Sequence, residues 1–167
     1  VNAFIEVVTQ YGIDEYDFSV YETRTSDVIQ NVKNFKSEVG ILYLNDFDRN
    51  VLEKIFSENE ISFHKLFDCH IYAYVAKNHP LAEKKTITAD DLIPEPLIIS
   101  NELLHSDILT EITGRPHDHL HISATYSLLY NASIMVKDGL GIAIGLDGII
   151  NTRGDSRLVF RPLSPNR

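Results

Sequence analysis

Apolar residues recur along this chain in two alternating rhythms. Phe4, Val7, Val8 and Tyr11 stand at i, i+3, i+4 and i+7 ahead of Gly12, which predicts a helix over residues 1–12. Phe18 and Val20 alternate with Ser19 and Tyr21, the period of a short strand. Thr25, Ser26 and Asp27 then open a helix whose apolar stripe is Val28, Ile29, Val32 and Phe35. Residues 39–44 are apolar almost throughout, the pattern of a strand covered on both faces in a parallel sheet. Val51, Leu52, Ile55 and Phe56 mark a third helix, and an extended stretch follows over residues 61–76, terminated by Pro80.

The rhythm repeats beyond that stretch. Leu97-Ile98-Ile99 reads as a buried strand, and Ile108, Leu109 and Ile112 as a helix closed by Gly114. A strand is expected over residues 119–124. The clearest later helix carries Leu128, Leu129, Ala132, Met135 and Val136, with Thr125 as its cap and Gly139 behind it. Residues 140–144 form one more buried strand, and Leu158-Val159-Phe160 a late edge strand. Strands alternating with helices of this length predict an α/β fold built from βαβ units. The stretch 61–76 divides it into two lobes of similar construction, residues 1–70 and 71–167. Ligands in such sheets sit beyond the C-terminal ends of strands, against helix N-termini.

Composition narrows the function. A chain of 167 residues buries enough surface to fold without a disulfide or a structural metal. Its net charge is −9 and its pI about 5.1, with no long basic stretch, so it makes a poor nucleic-acid groove. Arg153, Arg157, Arg161 and Arg167 crowd the end of the sequence and read as a solvated edge. Cys69 is the single cysteine, which excludes an intrachain disulfide and fits a reducing compartment. It reads as a buried structural residue. No apolar run reaches the ~18 residues of a membrane helix. The opening Val1-Asn2-Ala3-Phe4 lacks the features of a secretory signal, so a cytoplasmic protein is expected.

Few residues suggest chemistry. On a strand, His117, His119 and His121 would project from one face at a spacing that suits Zn²⁺. Three ligands from one strand still need a fourth group, and no Cys-rich context supplies it. A polar turn leading into an edge strand is the preferred reading, without a metal. Asp90-Asp91 suits a helix start, and Gly139 and Gly141 follow a helix instead of preceding one, unlike a phosphate-cradling turn. With no catalytic constellation and no cofactor signature, the chain is not expected to be an enzyme.

Three passages in order resemble the effector-binding domain of LysR-type transcriptional regulators. The first is His79-Pro80-Leu81-Ala82 followed by Ile87-Thr88 and Asp90-Asp91-Leu92. The second is the helix-turn-strand running from Ala132 through Val136 and Gly139-Leu140-Gly141 to Ile144. The third is Glu38-Val39-Gly40-Ile41-Leu42. The resemblance implies two Rossmann-like lobes, as in type 2 periplasmic binding proteins. Here the chain opens inside the helix that should follow the first strand, so the first lobe is expected to be incomplete. No segment resembles the family's N-terminal winged helix-turn-helix, and Asp147-Gly148 stands where the family commonly has a proline.

The turn Thr23-Arg24-Thr25-Ser26 precedes a helix, where hydroxyls and backbone N–H groups suit an anion. The resemblance implies that Thr25 and then Ser26 hold a small-molecule effector here, with Arg24 available to a carboxylate. Across the same ligand it implies Ser100, Asn101 and Thr125. Each also reads as a plain turn or capping residue. The expected partners are a small metabolite, anionic ones being well suited, a homodimer or homotetramer, and promoter DNA reached only through the N-terminal domain. The rival reading is a solute-binding protein of a membrane transporter, since one architecture serves both. A small metalloenzyme built on the histidine strand is the third.

Overall fold

The computed structural model describes residues 2–12, 15, 17, 19–46, 48–150 and 156–164. They belong to two compact units, Val1–Tyr43 and Leu44–Arg167. In the first, the i, i+3, i+4, i+7 spacing produces α1 (Asn2–Tyr11), ended by Gly12 at φ +58°. The second helix, α2 (Thr25–Lys33), follows Arg24 and buries Ile29. Gly40 passes directly over it: a Cβ there would lie 2.7 Å from Val28 Cγ1.

The strand expected at residues 39–44 does not form. Instead of being covered on both faces, Val39 is 72% and Ile41 65% exposed. A strand exists only as a member of a ladder, and no described residue of this unit supplies the partner. Val20 is unpaired for the same reason. Phe18, the other half of that expected strand, lies outside the described residues, as do Arg153 and Arg167.

In the second unit, α3 (Arg49–Glu58) buries Leu52 and Phe56. The Phe56 ring stacks on that of Phe63 at 5.6 Å. Only the end of the long extended stretch pairs, as β1 (Ile71–Ala76). Cys69 stands ahead of it, half-buried and outside any strand, so it is neither a core residue nor part of a ladder. Partial burial raises its thiol pKa, which leaves it a weak nucleophile.

The family-like passage after β1 has a clear local logic. His79 caps a 3-10 turn (Pro80–Glu83), its Nδ1 accepting from the Leu81 N–H at 3.2 Å while Nε2 faces Glu95 at 3.4 Å. β2 (Ile87–Thr88) leads into α4 (Ala89–Leu92) through a reciprocal cap of Thr88 and Asp91. Lys84 also bonds Asp91, and together with the Thr88 bonds it holds that carboxyl below its usual pKa. The remaining elements are β3 (Leu97–Ser100), α5 (Asn101–Leu104), α6 (Asp107–Thr113), β4 (Ile122–Tyr126), α7 (Leu129–Lys137), β5 (Ile142–Leu146) and β6 (Leu158–Ser164).

These strands make one mixed six-stranded sheet in the order β2-β6-β1-β5-β3-β4. β3 is parallel to both β4 and β5, and β2 is parallel to β6. β1 runs antiparallel to its neighbours β5 and β6. The expected edge strand, β6, is therefore internal, because local pattern cannot show which strands will flank it. Both faces are covered, which explains the unbroken apolar runs. Ala73, Val75, Ile99 and Ile144 face one core with Leu109 of α6; Tyr74, Ile98, Ala143 and Leu158 face the other with Ala132 and Val136 of α7.

Two further expectations are corrected here. His117 and His119 lie in a 3-10 turn that follows Pro116, and β4 starts only at Ile122. The period-two projection that suggested zinc therefore does not apply to them. Among the described residues no three His, Cys, Asp or Glu side chains gather as a metal site. Thr125 is the penultimate residue of β4, and the cap position of α7 belongs to Leu128.

Candidate functional site

Adjacent parallel strands end side by side in the second unit, where the sequence reading placed half of its binding residues. Ile99 pairs with Thr125 and Ser100 with Tyr126, so the C-terminal ends of β3 and β4 are level. The structure brings Ser100, Asn101 and Thr125 together at this sheet end. It gives them different tasks.

Ser100 caps α5, its Oγ accepting from the Leu103 N–H at 3.0 Å. On the neighbouring strand the Tyr126 hydroxyl donates to the Ile144 carbonyl at 2.7 Å. The first bond ties β3 to α5 and the second ties β4 to β5. Asn101 and Thr125 are exposed and make no side-chain hydrogen bond among the described residues, so theirs are the groups free to meet a ligand.

The floor depends on residues that local patterning did not single out. Tyr126 is buried with a strongly raised pKa, chiefly because burial penalises the phenolate. Gly145 lies under both Tyr126 and α7: a Cβ there would stand 2.8 Å from Leu129 Cδ1 and 3.1 Å from the Tyr126 hydroxyl. A glycine inside an otherwise apolar strand was the available signal for such a close approach. Leu128, at the cap position of α7, places no side-chain cap on that helix.

In the first unit, Arg24 occupies the cap position of α2, Thr25 opens the helix half-buried, and Ser26 is exposed. The donors of this turn already have an anion. Asp27, in the first turn, accepts from Thr23 Oγ1 at 2.9 Å and lies 3.6 Å from Arg24 Nε. The carboxylate favours the positive end of the helix, and Arg24 is its partner. The sequence marks Asp27 as a helix starter, and only the geometry of the turn shows that it takes up the arginine.

Among the described residues no helix is long and apolar enough to cross a membrane. The family model for the LysR substrate binding domain matches residues 14–167. The chain is a LysR substrate-binding domain. Among curated proteins none matches it. Its fold is similar to that of the effector-binding domain of QuiR, solved in complex with shikimate (TM-score 0.67, 20% identity, covering 97% of this chain and 72% of that one). It is also similar to HinK, a LysR family transcriptional regulator from Pseudomonas aeruginosa (TM-score 0.66, 14% identity, 98% and 54% covered). The oxidised form of OxyR gives a TM-score of 0.61 at 18% identity, with 99% and 76% covered.

The domain spans about half the length of the HinK chain. Its fold is that of type 2 periplasmic binding proteins, as the resemblance implied. It is a ligand-sensing regulatory domain by family, a class that is not enzymatic, and the transporter reading gains no support.

Proposed function

We propose that this LysR substrate-binding domain recognises a small-molecule effector through Asn101 and Thr125, with Ser100 holding them in place. The supporting observation is the level ending of β3 and β4, which sets two polar side chains, unpaired among the described residues, at one end of the sheet. Within the first unit, the start of α2 offers the hydroxyls of Thr25 and Ser26 to an effector, and Arg24 can meet an anionic group by exchanging Asp27 for it. The effector performs no chemistry. It shifts a conformational equilibrium by its difference in affinity between two states.

In a full-length regulator the shift is passed through a homodimer or homotetramer to promoter DNA bound by a separate N-terminal domain, in the cytoplasm. Reciprocity then requires DNA to change effector affinity by the same factor that effector changes DNA affinity.

A thermal-shift screen of small acids, amino acids and aromatic carboxylates, followed by calorimetry on the hits, tests the reading. Asn101→Ala and Thr125→Val are each expected to weaken a hit roughly tenfold, one lost polar contact, while leaving the melting temperature in place. Ser100→Ala is expected to lower both, since its hydroxyl caps α5. Full affinity in both Asn101→Ala and Thr125→Val would sink the assignment.

A further inference from the structure

Between the 3-10 turn and β2 the chain runs beside β6 before it pairs with it. The ladder starts only at Ile87↔Leu163 and Thr88↔Ser164. The gap left ahead of it is a cavity of about 420 Å³. Tyr72, Phe160 and Pro162 make its apolar wall, all half-buried. In the β1–β6 register Tyr72 lies opposite Pro162 and Tyr74 opposite Phe160, so these residues share one face of the sheet. The Tyr72 and Phe160 rings meet edge to face at 5.4 Å, which fixes the wall's shape.

The rim is basic. Lys84, Lys85 and Arg161 stand around the cavity against the single acid Glu83, in a chain whose net charge is −9. Two of the bases are already held. Lys84 bonds Asp91, and Arg161 bonds the Ala82 carbonyl through Nε (3.1 Å) and Nη2 (2.7 Å) and the Phe160 carbonyl through Nη1 (3.0 Å). Lys85 is exposed and pairs with nothing among the described residues. Asp91 neutralises Lys84, so Arg161, held by neutral carbonyls, is the fixed cation behind one free ammonium beside an aromatic wall.

A gap beside a strand invites either an added strand or a small molecule. An added strand is disfavoured here: the Phe160 carbonyl is taken by Arg161, and Pro162 has no N–H to give. A phosphate would leave the aromatic wall unused, and a neutral ring would leave Lys85 unanswered. A second carboxylate on the ligand would meet Glu83. We infer that the cavity is a second binding site, for a small aromatic monocarboxylate whose ring lies on Tyr72, Phe160 and Pro162 and whose carboxylate meets Lys85. It shares no residue with the effector site proposed above.

Benzoate is the probe, titrated into the ¹⁵N-labelled chain, with acetate and benzyl alcohol as one-part controls. Benzoate is expected to shift the amide signals of Tyr72, Lys85 and Phe160 saturably, with half-saturation on the order of a millimolar for so few atoms. The controls are expected to do so at least ten times more weakly. Lys85→Ala reduces the affinity roughly fivefold and Lys85→Arg restores it, the charge-assisted contact being the one removed. Raising the salt from 50 to 500 mM weakens binding to the unaltered chain more than to Lys85→Ala. Absence of saturable shifts at those amides, equal responses to benzyl alcohol, or unchanged affinity in Lys85→Ala would overturn the proposal. Shifts confined to Asn101 and Thr125 would overturn it too, and would place benzoate at the effector site instead.

Discussion

Gly141→Ala is expected to destabilise the second unit by about 3 kcal/mol or more, because the new methyl would be driven into backbone. A Cβ at this position would lie 2.3 Å from the Pro96 carbonyl oxygen and 3.0 Å from its carbon. The same carbonyl accepts the Ile142 N–H at 2.9 Å, so it cannot withdraw without opening the start of β5 beside β3. A flexible side chain could rotate away, whereas a main-chain carbonyl inside a sheet cannot. Gly139→Ala is the control: its φ of +82° disfavours a side chain, but nothing lies within 4 Å. It is expected to cost about 1–2 kcal/mol from backbone conformation alone. Urea titration of both variants separates the two effects. A Gly141→Ala midpoint at or above that of Gly139→Ala would show that β5 does not pass so close to Pro96.

Alkaline pH is expected to unfold the second unit through its two buried tyrosines. Burial pushes the Tyr74 phenol up from 10.0 to about 12 and raises Tyr126 further. Both hydroxyls donate to backbone carbonyls of β5, Tyr74 to Leu146 and Tyr126 to Ile144. Below pH 10 both states keep the protons, and stability from these groups does not change. Above it the unfolded chain releases them first, so stability falls as pH rises from 10 towards 12. The slope is about 1.4 kcal/mol per pH unit for each tyrosine. Ultraviolet titration at 295 nm, run beside urea midpoints from pH 9 to 12, checks the claim. The Tyr126→Phe variant is expected to halve the slope, at a cost of about 1–3 kcal/mol at neutral pH for leaving the Ile144 carbonyl unpaired. A flat midpoint between pH 10 and 11.5 would contradict the burial of both phenols.

The residues proposed for binding show how far a linear reading reaches. Ser100 was correctly placed after a buried strand, since Leu97-Ile98-Ile99 followed by Ser-Asn is a strand running into a helix cap. Its place opposite Tyr126 was not legible, because the two sit on neighbouring strands in a register that no local pattern encodes. Thr125 looked like a cap for the next helix, yet β4 continues through it to Tyr126. His117 and His119 form the polar turn into an edge strand that their composition suggests, and only the strand's start moves, from residue 119 to Ile122. At the start of α2, Asp27 was visible as a good helix opener but not as the anion that occupies Arg24.

By itself, the order of residues determined the helices, the buried strands of the second unit and the family. Those properties rest on short-range periodicity, on caps and glycine stops, and on motif spacing, all carried within a few residues of chain. Tertiary structure alone decided that β6 lies inside the sheet, that residues 39–44 have no ladder partner among the described residues, and that β1 runs against its neighbours. It also decided that Gly141 and Gly145 are sites of close approach, and that Lys85 stands beside an aromatic wall. Each of these depends on contacts between segments far apart in the chain, whose pairing is settled only when the whole apolar surface is buried at once.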